Sequence, residues 1–317
     1  MTTQDLFRCI GDLSDTMIEE AADIRRKKRW LPIAALAACA PAAQEPAAAP
    51  SGGESDAPAA AAPAEPPEPD SFGVVVAESW KDIYPNEYQT YMANESNSPQ
   101  GKQDYLTEYP ELVTMYAGYG FAKGYDEAAG HPYSLQSVAE TPRVNENTLA
   151  NCITCKTPQY TAMVNSEGDS AYQKPFAEVL MQMTEPISCY NCHENDPTKT
   201  TVTQKFFVNS MGSDVDKVST DSQVCGQCHN EYYFAPETKA TTNPYTGLEG
   251  MTAEAILAYY DEMGFKDWEH TETGAPMLKA QHPEFETIYG GAQSSMAKQG
   301  YTCADCHMAP AKAEDGT

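Results

Sequence analysis

Apolar positions along this chain recur in short, interrupted stretches rather than in long periodic ones. Leu6, Ile10, Leu13 and Ile24 stand among acids and predict a short amphipathic helix within residues 1–24, a leader to which the residues assign no role, and Met17 offers an alternative start inside it. Leu31 to Ala38 is a continuous apolar run. Residues 40–70 are almost entirely Ala, Pro, Glu, Gly and Ser without apolar periodicity, so they predict a disordered linker with stiff proline patches. Aromatic residues appear from about Phe72 onwards. The stretch Trp80 to Tyr109 is turn-rich with no clean period, and Glu111 to Phe121 predicts a short helix ending at glycine. Pro175 opens a better one, with Phe176, Val179, Leu180 and Met183 at helical spacing. Thr252 is placed to cap a third, with Ile256, Leu257, Tyr260 and Met263 on one face and Gly264 as its stop. Asn209 to Ser222, small and acidic, reads as a loop, and its acids lack the glycine and closing glutamate of an EF-hand. His270 is expected to face solvent. No stretch alternates long enough for a substantial sheet, so residues 71–317 are expected to form a mainly α domain with long loops and little β.

The apolar run follows Arg25-Arg26-Lys27-Lys28-Arg29, the charged start of an export signal over 25–39. It falls far short of the roughly 20 residues that span a bilayer. Leu36-Ala37-Ala38-Cys39 resembles a bacterial lipobox, which makes Cys39 a lipidation candidate and the protein a membrane-tethered, extracytoplasmic lipoprotein. A plain cleaved signal with an incidental cysteine is the alternative, although Pro41 makes cleavage after Ala40 awkward. A net charge of −26 argues against nucleic acid, whose phosphates need a basic face. It gives no long-range steering to an anion either, so an anionic substrate requires local cations.

Cys9 and Cys39 aside, the remaining eight of the ten cysteines fall into four CxxC pairs, at 152/155, 189/192, 225/228 and 303/306. The pairs lie farther apart than the about 15–20 residues of zinc ribbons. A disulfide framework explains an even count in an exported chain. Neither explains the histidine directly after three of the pairs: His193, His229 and His307. Two cysteines at i and i+3 share one side of a helical turn, suited to the two vinyl groups of a haem, and the next residue points at the iron. In the first pair that residue is Lys156. Lysine ligates only as the free amine, so the iron must depress its pKa. Three ordinary haem c sites and one odd one suggest an iron reserved for chemistry, since a haem with one open face binds a small ligand. Four haems would also supply apolar mass to a domain poor in aliphatic core.

The lysine-bearing first site, Cys225-Gly226-Gln227-Cys228-His229-Asn230-Glu231-Tyr232-Tyr233-Phe234 and Lys279-Ala280-Gln281-His282-Pro283-Glu284 together resemble the ammonia-forming pentahaem cytochrome c nitrite reductases over roughly Trp80 to the last residue. The resemblance implies six-electron reduction of nitrite to ammonium on the open face of the Lys156 haem, with Arg143, Tyr232 and His282 around the substrate. It implies calcium bound by Glu231, Gln281 and the carbonyls of Tyr232 and Lys279, and His131 as second ligand of the third haem. It further implies a membrane quinol-oxidising donor or cytochrome as partner, and a homodimer. The residue types suit these tasks: arginine offers a fixed fork of donors to a bent anion, histidine and tyrosine deliver protons, and calcium takes oxygen ligands. The family carries a fifth haem motif and long helices beyond the fourth. This chain shows neither before Thr317, and reads as the amino-terminal portion of a longer protein with four of five motifs. Met296 stands where the family has a histidine serving the fifth haem, either as a ligand or as an exposed methionine. A multihaem electron-transfer cytochrome without turnover is the alternative function.

Overall fold

The computed structural model describes residues 67–94 and 98–308, all within a unit spanning Ala61–Thr317. The leader, the export signal with Cys39 and the linker as far as residue 66 lie outside the described residues. The folded domain takes in Asp70. Its carboxylate accepts the backbone N–H groups of Phe72 and Val74 at 2.8 and 3.0 Å and the amide of Gln159 at 2.6 Å, and Val74 and Val75 behind it are buried.

Helices dominate, and all are short: α1 (Pro85–Met92), α2 (Tyr105–Glu108), α3 (Glu111–Met115), α4 (Ser134–Glu140), α5 (Pro158–Glu167), α6 (Phe176–Leu180), α7 (Cys189–His193), α8 (Lys205–Met211), α9 (Thr220–Gly226), α10 (Ala253–Met263), α11 (Glu284–Tyr289), α12 (Ser295–Lys298) and α13 (Cys303–His307). Two antiparallel pairs supply the strand content, β1 (Tyr233–Phe234) with β2 (Thr241–Thr242) and β3 (Trp268–Glu269) with β4 (Pro276–Met277). The Thr252 hydroxyl accepts the N–H of Ala255 at 3.2 Å, and Gly264 ends α10 in the left-handed region at φ 61°. Of the periodic residues on α10 only Tyr260 is buried; Leu257 and Met263 stay exposed. Pro175 caps α6, and Phe176, Val179 and Met183 are buried as the pattern requires. Helix α3 stops at Met115, earlier than its glycine, and the chain turns through Gly118 at φ 95° into a 3-10 turn, Gly120–Ala122.

Two expectations are corrected. Residues 209–222 are not a loop: they hold the end of α8, the 3-10 segment Gly212–Lys217 and the start of α9. Polar groups build this stretch. Ser219 caps α9 through Asp221 N, and the Gln223 amide, buried, donates to the carbonyls of Val215 and Val218 at 2.7 Å each. His270 is buried rather than solvent-facing, with Nε2 paired to the Thr114 carbonyl at 2.8 Å and Nδ1 near the Thr273 hydroxyl at 3.1 Å. It ties the β3–β4 hairpin to α3.

Two modest cores organise the rest. One gathers Ile153, Tyr160, Met163, Tyr172, Phe176 and Val179, so the residue between Cys152 and Cys155 is itself core. The other gathers Phe207, Met211, Leu248, Met251, Phe285 and Tyr289, with Cys303 packed against it. Gly226, inside the third CxxC pair, lets Phe285 press on the backbone: a Cβ there would meet the ring at 2.2 Å. Gly226→Ala is therefore expected to destabilise the domain by about 1–3 kcal/mol through overpacking. A lowered melting temperature and reduced haem loading are the readouts, and a variant as stable as the parent would show that the ring moves freely.

Candidate functional site

Helix α9 leads into the third CxxC pair, and the other three pairs are built around it. His229 N donates to the Cys225 carbonyl at 2.9 Å, which continues the turn and keeps the two thiols on one side. The buried side chain of Gln227 donates to the Asn191 carbonyl at 2.6 Å and accepts from the N–H groups of Thr203 and Gln204 at 2.8 and 2.9 Å, which fixes the second pair. Ser222 Oγ accepts from Cys303 N at 3.0 Å, which fixes the fourth. The first is held by Gln204, whose amide reaches the Thr154 carbonyl at 2.7 Å, and by Asn151, whose amide reaches the Lys239 carbonyl at 3.0 Å. Helix α13 begins with a capping box, Thr302 with Asp305, and at the head of α7 Ser188 N donates to Asn191 Oδ1 at 3.0 Å.

The eight thiols are unbridged, and all but the exposed Cys306 are half-buried. Cys155 meets Cys228, and Cys225 meets Cys303, so pairs from different segments adjoin. Among the described residues no three His, Cys, Asp or Glu side chains converge as a metal centre. Pairs presented side by side on turns, each followed by a ligand-type residue, fit covalent haem attachment. His193 Nδ1 is paired to the Lys199 carbonyl at 2.8 Å, leaving Nε2 for a metal. His131 lies within electrostatic reach of both His229 and Lys156, and partial burial, foremost, holds it below the usual histidine range.

Arg143, Tyr232 and His282 are brought towards the Cys152–Lys156 segment from three separate parts of the chain. The Arg143 guanidinium lies over the Phe121 ring, 4.3 Å from its centre, donates to the Gly124 carbonyl at 3.2 Å, and acts electrostatically on Cys152. The Tyr232 phenol lies near Cys155 and Cys152, and burial raises it well above the usual phenol range, so it stays protonated. His282 sits beside His229, with ring centres 6.0 Å apart, and Glu284 Oε1 lies 3.8 Å from His229 Nδ1 and 3.9 Å from His282 Nδ1. Partial burial, aided by His229, Lys279 and Lys156 against the pull of Glu284, pushes His282 down to about 4. It is neutral at pH 7.

The calcium candidates cluster too. Glu231 is buried, accepts Gln281 N at 2.6 Å and the Tyr260 hydroxyl at 3.1 Å, and burial pushes it up to about 7. Lys279 N donates to Asp267 Oδ2 at 2.7 Å, which brings a second carboxylate to the same place. A buried carboxylate with a second one acting on it, and no ion-pair partner among the described residues, fits a hard cation. Behind it, Glu286 Oε1 accepts Glu231 N at 3.0 Å and the Tyr245 hydroxyl at 2.5 Å, while its buried Oε2 has no partner. Sequence reasoning missed Tyr119, Phe121, Asp267 and Glu286. The last follows His282 by four residues, just past the stretch already singled out; nothing in the spacing of the others signalled them. Met296 lies in α12 and is 48% exposed.

Residues 77–317 match the family model Cytochrome c552. A cytochrome c-552 of Parabacteroides distasonis is 38% identical over 253 residues, which cover 74% of this chain and 50% of that protein. One of Bacteroides thetaiotaomicron is 33% identical over 259 residues, 75% of this chain and 51% of that one. The chain thus spans about half the length of these curated relatives. Among solved structures, the catalytic subunit (NrfA) of cytochrome c nitrite reductase from Desulfovibrio desulfuricans, which has two calcium sites, matches with a TM-score of 0.67 at 26% identity over 77% of this chain and 60% of that one.

Proposed function

Because the chain belongs to the cytochrome c552 family, we propose that it carries the catalytic site of an exported multihaem nitrite reductase, which reduces nitrite by six electrons to ammonium at a haem c held by Cys152 and Cys155 and ligated by Lys156. The observation that carries this reading is the convergence of Arg143, Tyr232 and His282 on the first CxxC segment, where the residue after the second cysteine is a lysine. The nitrite reductase with a similar fold supports it.

When bound, haem c supplies an iron able to take a small anion and to pass it electrons. Arg143 binds and orients that anion with donors left over from its bond to Gly124. Tyr232, protonated, and His282, neutral, hold and relay the protons that cleavage of N–O bonds consumes. His193, His229 and His307, with their cysteine pairs, would hold the electron-supplying haems, and His131, within electrostatic reach of His229, would serve the third. Glu231, Gln281 and the carbonyls of Tyr232 and Lys279 would hold calcium, whose charge would offset that of the buried Glu231. No described helix is long and apolar enough to cross a membrane. On this reading a lipid on Cys39 tethers the protein, a membrane quinol-oxidising partner or cytochrome supplies electrons, and the complete protein is a homodimer.

Isotopically labelled nitrite given to the complete, haem-loaded protein with a chemical reductant is expected to emerge as labelled ammonium; haems that reduce and reoxidise without consuming nitrite would make it an electron carrier. Glu231→Gln is expected to weaken calcium binding by more than the about 10-fold that loss of even an outer-shell partner costs. Isothermal titration with calcium measures this, and unaltered affinity would remove Glu231 from the site.

A further inference from the structure

Two cations share one aromatic ring beside the first CxxC segment. Lys279 Nζ lies 4.6 Å from the centre of the Phe121 ring, and Arg143 Cζ lies 4.3 Å from the same centre. Both side chains belong to half-buried residues, and among the described residues neither makes an ion pair. Their polar contacts are carbonyls: Ala280 O for Lys279 at 3.1 Å and Gly124 O for Arg143. Two like charges gathered in partly desolvated surroundings repel, and the negative face of the ring, with the carboxylates of Glu231, Asp267 and Glu284 acting on Lys279, offsets only part of that cost. A small anion within reach of both would offset the rest. This holds in a chain whose net charge of −26 would otherwise repel it.

The ring is braced from behind. Tyr119 stacks on Trp268 at 4.4 Å and 12°, and lies 5.6 Å from Phe121 at 26°. Its hydroxyl bonds the side chain of Gln281. The turn that presents both rings needs Gly118, which sits at φ 95° where a Cβ would come within 2.6 Å of Thr271 Oγ1. Gly120 lies under the stem of Arg143, at 3.5 Å from Cγ for a built Cβ. The turn thus fits closely under the Arg143 stem and against the β3–β4 hairpin.

We infer that Phe121 is a positioning residue that holds Arg143 and the Lys279 ammonium together as a two-cation seat for a small oxyanion, so that Lys279 serves the substrate through its side chain as well as calcium through its carbonyl. The inference rests on the nitrite reading for the identity of the anion. Charge, not shape, is what the seat selects, so uncharged hydroxylamine of similar size gains nothing from it.

The test uses the complete, haem-loaded protein: nitrite binding to the oxidised form followed by absorption, and KM and kcat for nitrite and for hydroxylamine. Phe121→Leu is expected to raise the nitrite Kd and KM about tenfold, or about 1.4 kcal/mol, within the range of a desolvated cation–π contact. The hydroxylamine KM should rise far less, kcat should change less than KM, and Phe121→Tyr should restore binding. Lys279→Met keeps the backbone carbonyl and is expected to weaken nitrite in the same way, which preserves the test if Phe121→Leu loads haem poorly. Nitrite affinity within twofold of the parent in both variants overturns the seat, as does an equal rise in KM for hydroxylamine. Nitrite that is reduced normally while ignoring both variants keeps the proposed reaction and removes the seat. Nitrite that binds in a Phe121-dependent way without being reduced does the reverse.

Discussion

His282→Ala in the complete protein lowers kcat for nitrite by about 10²–10⁴-fold, the contribution usual for a positioned proton donor. The size follows from where the ring sits. It is held beside His229 and Glu284, and its environment keeps it neutral at pH 7. A neutral imidazole so placed, half open to solvent, can accept a proton and pass it on in each successive reduction. His282→Gln retains a donor but cannot cycle a proton, so it should stay close to the alanine variant in kcat. Steady-state kinetics with both variants, checked for unchanged haem content, measures this. A kcat within threefold of the parent in both would take His282 out of the chemistry and leave it as a structural neighbour of His229.

Lys156→Ala removes the residue that makes the first pair unlike the other three, and activity is expected to fall by more than the about 10–100-fold that loss of an outer-shell partner costs at a metal site. The attachment cysteines remain. Ile153 stays in the core, and the Lys156 carbonyl, which accepts from Ser134 Oγ at 2.7 Å, is a backbone group that the substitution leaves in place. Loss of function would then report on the side-chain amine and not on a collapsed segment. Lys156→His turns the segment into the same CxxCH as the others and should recover part of the activity, because a ligand nitrogen returns. Activity assays beside pyridine haemochrome counts separate loss of chemistry from loss of haem. Full activity in Lys156→Ala would mean that the reaction runs at another haem.

The parts of the fold that were legible are those fixed by local chemistry. The cap at Thr252, the stop at Gly264 and the proline at the head of α6 each act within a few residues, and the four CxxC pairs announce themselves by spacing alone. Residues 209–222 were opaque because their order comes from buried polar groups such as Gln223, which leave no apolar period. His270 was misread because its burial depends on Thr114, far away in the chain. The site divides the same way. Glu231, Gln281 and His282 lie in stretches that a known family made recognisable, whereas Tyr119, Phe121 and Asp267 enter it through loops that meet only in the folded chain. No spacing encodes a ring that two distant cations share.

The most direct measurement is a nitrite titration of the oxidised complete protein, followed by electron paramagnetic resonance. An open haem at Lys156 predicts one high-spin signal among low-spin ones, converted by nitrite with saturation at one equivalent per chain. Low-spin signals alone, unchanged by nitrite, would contradict it and leave a chain of electron-carrying haems.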